Sequence, residues 1–567
     1  MSNPQLKNSF SWGDALFLYI ERPGQPLSIA GVSVFEGKVT LKACRDLVES
    51  RLPLIPRYRQ RVAFPPLNLG LPTWQFDPMF DIRNHIRQVT LRNGTDAQLK
   101  KLASSIVSTH LDRQRPLWDI TLVRGLEGDR TGMIARLHHC LADGIAGVGI
   151  LNVLMDTSPI VQPLPRKKAE SHAHQPMDAG AALLDGLLKS SLSAVQGALT
   201  LHSEAVQMAQ GILANSGETL TELLSVLPEL ASPADRLPFN VVCHGPQKFG
   251  WTELDLPEIK QIKERCGGTV NDVILTVVAA ALRRYSELRK VRVKGRSARI
   301  MIPVNVRGSD SHTELGNRIS FVPVTVPLDI RDPQKLFAYV RQRTEYLKRV
   351  RAAELVGFAG GLFSAIPSPI WAAIGPVASQ LPLSLCNIIC TNVPGPQMPL
   401  YLLGHKMVAW YPYVPIGGEM GTNWAILSYN GKAYFGFSCD LGAVPDPENL
   451  EKFVDESFVE LLRSAQRMTP TVGTESRSQD ASAPSRAAEK PRHERSRTIP
   501  LGDSATVKPK PRNKKPARPV SETVAEPSKA NGEARLAKVT PNPASPEAAE
   551  MAVGEVPAEE LAQAVGA

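Results

Sequence analysis

Two kinds of apolar spacing alternate along this chain, one suited to strands and the other to helices. Thr95 and Gln98 have capping-box spacing, and Leu99, Leu102, Ile106 and His110 follow on one face, which predicts a helix. Two runs of strand character come next, Ile120–Val123 and Met133–His138, separated by the turn-prone stretch Glu127–Gly132. Farther on, Asp332-Pro333 and Asp446-Pro447 each place an N-cap before a proline at the first helical position and open a long amphipathic helix. Ile319–Val326 and Ala433–Phe437 read as strands. Strands alternating with helices predict an α/β (α+β) chain of mixed sheets with helices packed on them.

Breaks in that pattern divide the chain. Residues 159–238 are bounded by prolines (Pro163, Pro165 and Pro176, then Pro228, Pro233 and Pro238) and carry Leu213, Leu220, Leu223 and Leu224 at helical spacing. They read as a helical crossover between an N-terminal domain (1–158) and a C-terminal domain (239–468). Residues 469–567 are rich in Pro, Ala, Ser, Lys and Glu, too poor in apolar clusters to offset their ordering entropy, and are expected to be a disordered tail. The tail is basic from Lys490 to Arg518 and acidic from Glu547 to Glu560. A run from Leu355 to Gly404 holds no Lys, Arg, Asp or Glu. It exceeds the ~20 residues of a spanning helix, but its prolines break it too often for lipid-exposed backbone. It reads either as core plus loop, or as an apolar surface (Phe358, Leu362, Phe363, Ile366, Trp371) that dips into a membrane or lipid droplet.

Composition narrows the setting. The 567 residues, 43% hydrophobic and 21% charged, have the balance of a globular protein of roughly two to four domains. The net charge of +10 favours anionic ligands or membrane surfaces without requiring nucleic acid. Seven cysteines with no C-x-x-C pair argue against a disulfide framework or a zinc site and fit a reducing cytoplasm. Asp14 and Glu21 interrupt any apolar signal-peptide core, so the expected location is cytoplasmic.

The chemistry concentrates in Arg136-Leu-His-His-Cys-Leu-Ala-Asp-Gly144. Adjacent strand residues face opposite sides, so one of His138 and His139 is expected to face a cleft and the other to be structural. Asp143 can fix the backbone or orient an imidazole, and Gly144 permits close approach where a helix begins. A neutral imidazole at a strand end can take a proton from an alcohol attacking a thioester and return it to the leaving group. Such a reaction needs no metal and no covalent enzyme nucleophile. No H-E-x-x-H, Walker or Rossmann pattern is present, and Gly436-Phe-Ser-Cys-Asp lacks the second glycine of a hydrolase elbow.

His138-His139-Cys-Leu-Ala-Asp143-Gly144 resembles the HHxxxDG motif of the condensing acyltransferases. Its company resembles one family in particular, the bacterial wax ester synthase/acyl-CoA:diacylglycerol acyltransferases. That company is Ser11-Trp-Gly-Asp-Ala-Leu-Phe-Leu18, Arg115-Pro-Leu-Trp-Asp119, Thr269-Val-Asn271-Asp272-Val, Pro303-Val-Asn-Val-Arg307, Leu315-Gly-Asn317-Arg318 and Thr391-Asn-Val-Pro-Gly-Pro396, in family order. The resemblance implies two chloramphenicol-acetyltransferase-like halves with a channel between them. It implies His139 as general base, with Asp143 structural and paired to Arg307, and Asn271 and Asp272 near the acyl-transfer centre. From the residues alone, Asn271 could equally cap the helix bearing Val273, Ile274, Val277, Ala281 and Tyr285. The substrates implied are acyl-CoA, as co-substrate with no bound cofactor or metal, and diacylglycerol or a long-chain fatty alcohol, met at a membrane or lipid-droplet surface. A catalytically silent lipid-coating protein is the non-enzyme alternative. Gln25-Pro-Leu-Ser28 departs from the family's Pro-Met-His, so acceptor preference is not carried over from there.

Overall fold

The computed structural model describes residues 8–141, 153–161, 232–305, 319–350, 352–353, 356, 368–378 and 385–468. The expected tail, most of the crossover (162–231), Asp143, Gly144 and Arg307 lie outside the described residues, as do Asn317, Arg318, Phe358, Leu362, Phe363 and Ile366.

The first half supplies the helices α1 (Trp12–Ile20), α2 (Leu41–Arg51) and α3 (Asp96–Val107). Its strands are β1 (Ser28–Glu36), the hairpin β2 (Gln60–Ala63) with β3 (Thr73–Phe76), β4 (Ile86–Thr90), β5 (Trp118–Leu126) and β6 (Arg130–His138). Both strand runs expected between 120 and 138 fall inside β5 and β6. Their turn is tighter than expected, because Gly128 and Asp129 both take left-handed backbone and let β6 start at Arg130.

The second half begins with β7 (Gln247–Asp255), α4 (Leu256–Cys266), α5 (Val270–Leu288), β8 (Ser297–Asn305), β9 (Ile319–Pro327), α6 (Pro333–Arg349) and α7 (Ser368–Ala378). β10 (Ile388–Pro394), β11 (Tyr401–Leu402), β12 (His405–Tyr413), β13 (Thr422–Tyr429), β14 (Lys432–Asp440) and α8 (Glu448–Gln466) complete it. Asp332 caps α6 as expected, accepting the Lys335 N–H at 2.8 Å, with Pro333 in the first turn. The Asp446-Pro447 cap does not form. α8 starts at Glu448 behind Pro447, because the Asp446 carboxylate is occupied by the Tyr285 hydroxyl at 2.8 Å, the Asn449 amide at 2.6 Å and Arg289.

Two six-stranded sheets result, in the orders β11-β12-β1-β6-β5-β4 and β7-β14-β13-β10-β8-β9. They do not follow the halves of the chain. β12, late in the sequence, pairs antiparallel with β1 of the first sheet, Ala30 opposite Tyr413 and Val34 opposite Ala409. The core beneath follows: Val32, Phe35 and Ile134 pack in one cluster with Trp251, Trp410, Tyr413, Tyr429 and Tyr434. The second sheet and α4, α5, α6 and α8 enclose the other large cluster, with α5 buried on nearly all sides. No single described helix is long and apolar enough to cross a membrane; the bent pair α4 and α5 passes by length and composition only.

The two sheets touch where β12 crosses β14. A Cβ built on Gly436 would lie 1.8 Å from the Pro412 carbonyl oxygen, so only glycine permits this approach. Gly436→Ala should therefore push the sheets apart and cost about 1–3 kcal/mol, typical of overpacking, read as a lower urea midpoint.

Candidate active site

The site is assembled on α1 and the end of β6. Ser11 Oγ accepts the Asp14 N–H at 3.1 Å to start α1, which ends at Glu21 in extended backbone. Phe17 and Glu21, four residues apart, lie on the same side of the helix. β6 pairs with β1 as far as His138 opposite Ser28, and the ladder takes one more step where the His139 N–H donates to the Leu27 carbonyl at 2.9 Å. The chain then turns, with Leu141 N–H on the His138 carbonyl at 2.9 Å. His139 has left the regular strand, so both histidines meet α1 and strand alternation no longer separates them.

Their roles still divide. His138 is buried, its Nδ1 accepts the Cys140 N–H at 3.2 Å, and its Nε2 lies 3.3 Å from Glu21 Oε1. Acceptance at Nδ1 puts the ring proton on Nε2, facing the carboxylate. Nε2 makes no aligned hydrogen bond, so the attraction across that gap is chiefly electrostatic. His139 is half-buried, stacked on Phe17 with ring centroids 4.0 Å apart and planes 10° from parallel. Its Nδ1 is sealed from solvent with no partner among the described residues. Burial lowers its pKa to about 4, further reduced by the nearby His138, so the ring is neutral at pH 7.

Glu21 is the residue beside the histidines that the sequence did not mark. In the sequence it only interrupts an apolar run. In the fold its side chain is 4% exposed and gathers the Leu27 N–H at 2.9 Å, the Arg113 guanidinium at 2.7 Å, His138, and the His110 ring at 3.4 Å. Burial alone would raise the carboxyl's pKa, but His138, the Leu27 N–H and Arg113 outweigh it and hold the group well below the usual carboxylate range. Arg113 also donates to the Leu18 carbonyl at 3.0 Å, which ties the last turn of α1 to the loop before β5. The only sequence signal for Glu21 was an acid on an apolar helix.

A second buried pair braces the strand. Arg136 holds Asp119 through two hydrogen bonds of 3.2 and 2.7 Å and also donates to the Ile106 and Thr109 carbonyls at the end of α3. Asp119 belongs to the Arg115–Asp119 segment, which is thereby fixed to the histidine strand.

Asn271 and Asp272 sit elsewhere in the network. Thr269, not Asn271, caps α5. Asp272 closes a capping box, accepting the Thr269 N–H at 2.8 Å, its hydroxyl at 2.7 Å and the Thr344 hydroxyl at 2.7 Å. No contact among the described residues joins either one to the histidines, and Asp272 is engaged in holding α5 to α6. Trp371 is half-buried and packs edge-on against Trp12 with ring centroids 5.8 Å apart.

Two cavities approach the pair without being lined by His139. One, of about 110 Å³, lies between the sheets. It is mostly apolar and reaches the cross-strand pair Ile29 and Leu137, next to the pair Ser28 and His138; Tyr58, Trp118, Trp410 and Leu427 also line it. The other, of about 430 Å³, is an open groove over Glu21, Arg113 and Tyr19.

Paired mixed sheets sharing an exchanged strand, with adjacent histidines at a strand end, define a condensation-type acyltransferase fold. The first condensation domain of the calcium-dependent antibiotic synthetase superposes with a TM-score of 0.52 at 12% identity, covering 82% of this chain and 98% of that one. The wax ester synthase/diacylglycerol acyltransferase from Marinobacter aquaeolei VT8 superposes with a TM-score of 0.58 at 20% identity, covering 81% of this chain and all of that one. The family model for the wax ester synthase/diacylglycerol acyltransferase catalytic domain matches residues 10–274, and the model for the WS/DGAT C-terminal domain matches 315–462. A Mycobacterium tuberculosis H37Rv relative named a probable diacylglycerol O-acyltransferase, tgs1, is 27% identical across 81% of this chain and 96% of its own length. A second from that organism, tgs2, named likewise, is 26% identical across 79% and 97%. The chain belongs to the wax ester synthase/diacylglycerol acyltransferase family and is an acyltransferase, which removes the silent-coat alternative.

Acid should weaken the fold in two stages. An unfolded histidine protonates near pH 6.5 but folded His139 only near pH 4, so stability falls as pH drops through that window. Glu21, depressed in the fold, contributes stability that is lost as pH falls below about 4.5, its unfolded value. Urea unfolding at pH 7, 5.5 and 4 should show successively lower midpoints. Glu21→Ala takes the acceptor from the Leu27 N–H and Arg113 and the facing charge from His138, and should cost about 3–5 kcal/mol at pH 7 by the same measurement.

Proposed function

We propose that this enzyme moves a long acyl chain from coenzyme A to the free hydroxyl of diacylglycerol, forming triacylglycerol and free coenzyme A. The observation that carries the reading is the His139 imidazole, kept neutral by burial and held by Phe17 at the end of β6. His139 removes the hydroxyl proton as the oxygen attacks the thioester carbonyl. The tetrahedral intermediate collapses with loss of the thiolate, and the same imidazole returns the proton to sulfur. No covalent acyl-enzyme forms. The narrow apolar cavity ending at Leu137 and Ile29 suits the acyl chain, since its walls carry little that would need solvation.

His138 and Glu21 act through position. They fix the strand end and the helix between which His139 is held. Asp143 is proposed as the partner of Arg307, with Gly144 permitting close backbone approach. Asn271, half-buried in the first turn of α5, is the proposed oxyanion donor on its place in the family motif. The family description covers wax ester synthesis as well, so a long-chain fatty alcohol is the second acceptor. The enzyme is proposed to work in the cytoplasm against a lipid surface.

Purified protein given radiolabelled palmitoyl-CoA with dioleoylglycerol should yield labelled triacylglycerol faster than it yields wax ester from hexadecanol. His139→Ala should lower kcat/KM about 10²–10⁴-fold while unfolding at the wild-type temperature. Full activity in that variant would exclude the mechanism.

A further inference from the structure

The open groove over Glu21 and Arg113 has an unusual rim. One side is the short 3-10 turn Pro66–Asn68 with Phe64 and Pro65 before it; the other is α7, which contributes Ala372. Leu67 is 79% exposed and Phe64 39%. Leu67 and Asn68 both hold left-handed backbone, a costly conformation for leucine.

α7 is apolar on both faces. Trp371 and Ala372 turn inward against the small core under α1, and a Cβ on Gly375 would lie 2.9 Å from the Tyr19 carbonyl oxygen, so the helix seats closely on α1. Ile370, Ala373 and Ile374, spaced i, i+3 and i+4, point outward, with the isoleucines 47% and 44% exposed. A surface helix in water presents polar residues on that face. No such residue is present here. Across residues 60–76 and 368–378 there is no Asp or Glu. Arg61, on β2 before Phe64, supplies a positive charge for phosphate headgroups, whereas Arg113, in the groove, is paired with Glu21 at 2.7 Å.

We propose that the outer face of α7, with Phe64 and Leu67, seats this enzyme on a phospholipid surface. The groove between them then opens into the lipid and leads an acceptor lipid toward the histidine pair. The occupant follows from continuity and charge. The floor of the groove is Glu21, the residue facing His138, so whatever enters there lies against the carboxylate that positions the histidine pair. The rim offers aliphatic side chains beside Arg61 and no acidic residue of its own, the combination that an anionic lipid interface binds. The groove's role rests on the acyl-transfer reading, whereas the docking of the rim does not.

The test is flotation of the full-length protein with phosphatidylcholine/phosphatidylglycerol vesicles. The double variant Ile370→Glu/Ile374→Glu and the single variant Leu67→Glu should each float about ten-fold less or lower, since each removes large aliphatic burial from the lipid. Val459→Glu, which replaces an exposed apolar residue on α8 away from the groove, should float like wild type. Thermal unfolding at the wild-type temperature shows that the variants are folded. Wild-type flotation by the rim variants, or an equal loss in Val459→Glu, would overturn the proposal. Flotation does not read catalysis, so an enzyme that binds vesicles through this rim but esterifies no acceptor would end the acyl-transfer reading and leave the docking surface standing.

Discussion

The exchange of β12 into the first sheet is the constraint on which the remaining architecture rests. β1 carries β12 on one edge and β6 on the other, so the strand that ends at His138 is located by backbone bonds reaching residues nearly three hundred positions away. Hydrogen-bond ladders and a shared aromatic cluster make the two halves one cooperative body. The glycine contact at Gly436 and Pro412 sets how closely the sheets approach, and the narrow cavity occupies the space left between them.

Within that frame, the buried carboxylate of Glu21 organises the chemistry. A charge removed from water must find donors, and this one draws in the nearby Leu27 backbone together with Arg113 and His138, both about a hundred residues farther along. The helix so fixed presents Phe17 to His139. The same desolvation that makes Glu21 demand partners keeps His139 uncharged. One environment therefore yields an anion and a neutral base side by side, set apart by the number of donors each receives.

Much of this was legible in order along the chain. The strands at 120–123, 133–138, 319–326 and 433–437 and the Asp332-Pro333 helix start all formed, because each rests on local periodicity or on a cap made by residues three apart. The histidine pair was legible as a local motif at a strand end. Asp446 failed as a cap because Tyr285, 161 positions earlier, reaches its carboxylate first. Strand alternation could not by itself place His139, because the regular strand ends at His138 and the chain turns there. Glu21, Arg113 and the Arg136–Asp119 pair could not be matched from sequence, since opposite charges on different segments carry no mark of which will meet.

The sequence by itself therefore determined the elements and the motif: mixed strands and helices, a histidine at a strand end, and an uncharged run around residues 355–404. Those are properties of neighbouring residues. Tertiary structure alone decided that a late strand completes the early sheet, that an acid near the N-terminus faces the motif histidine, and that Trp371 turns inward while Ile370 and Ile374 turn out. Each of these depends on which distant surfaces exclude water together, and desolvation acts on the assembled surface whatever the order of residues along the chain.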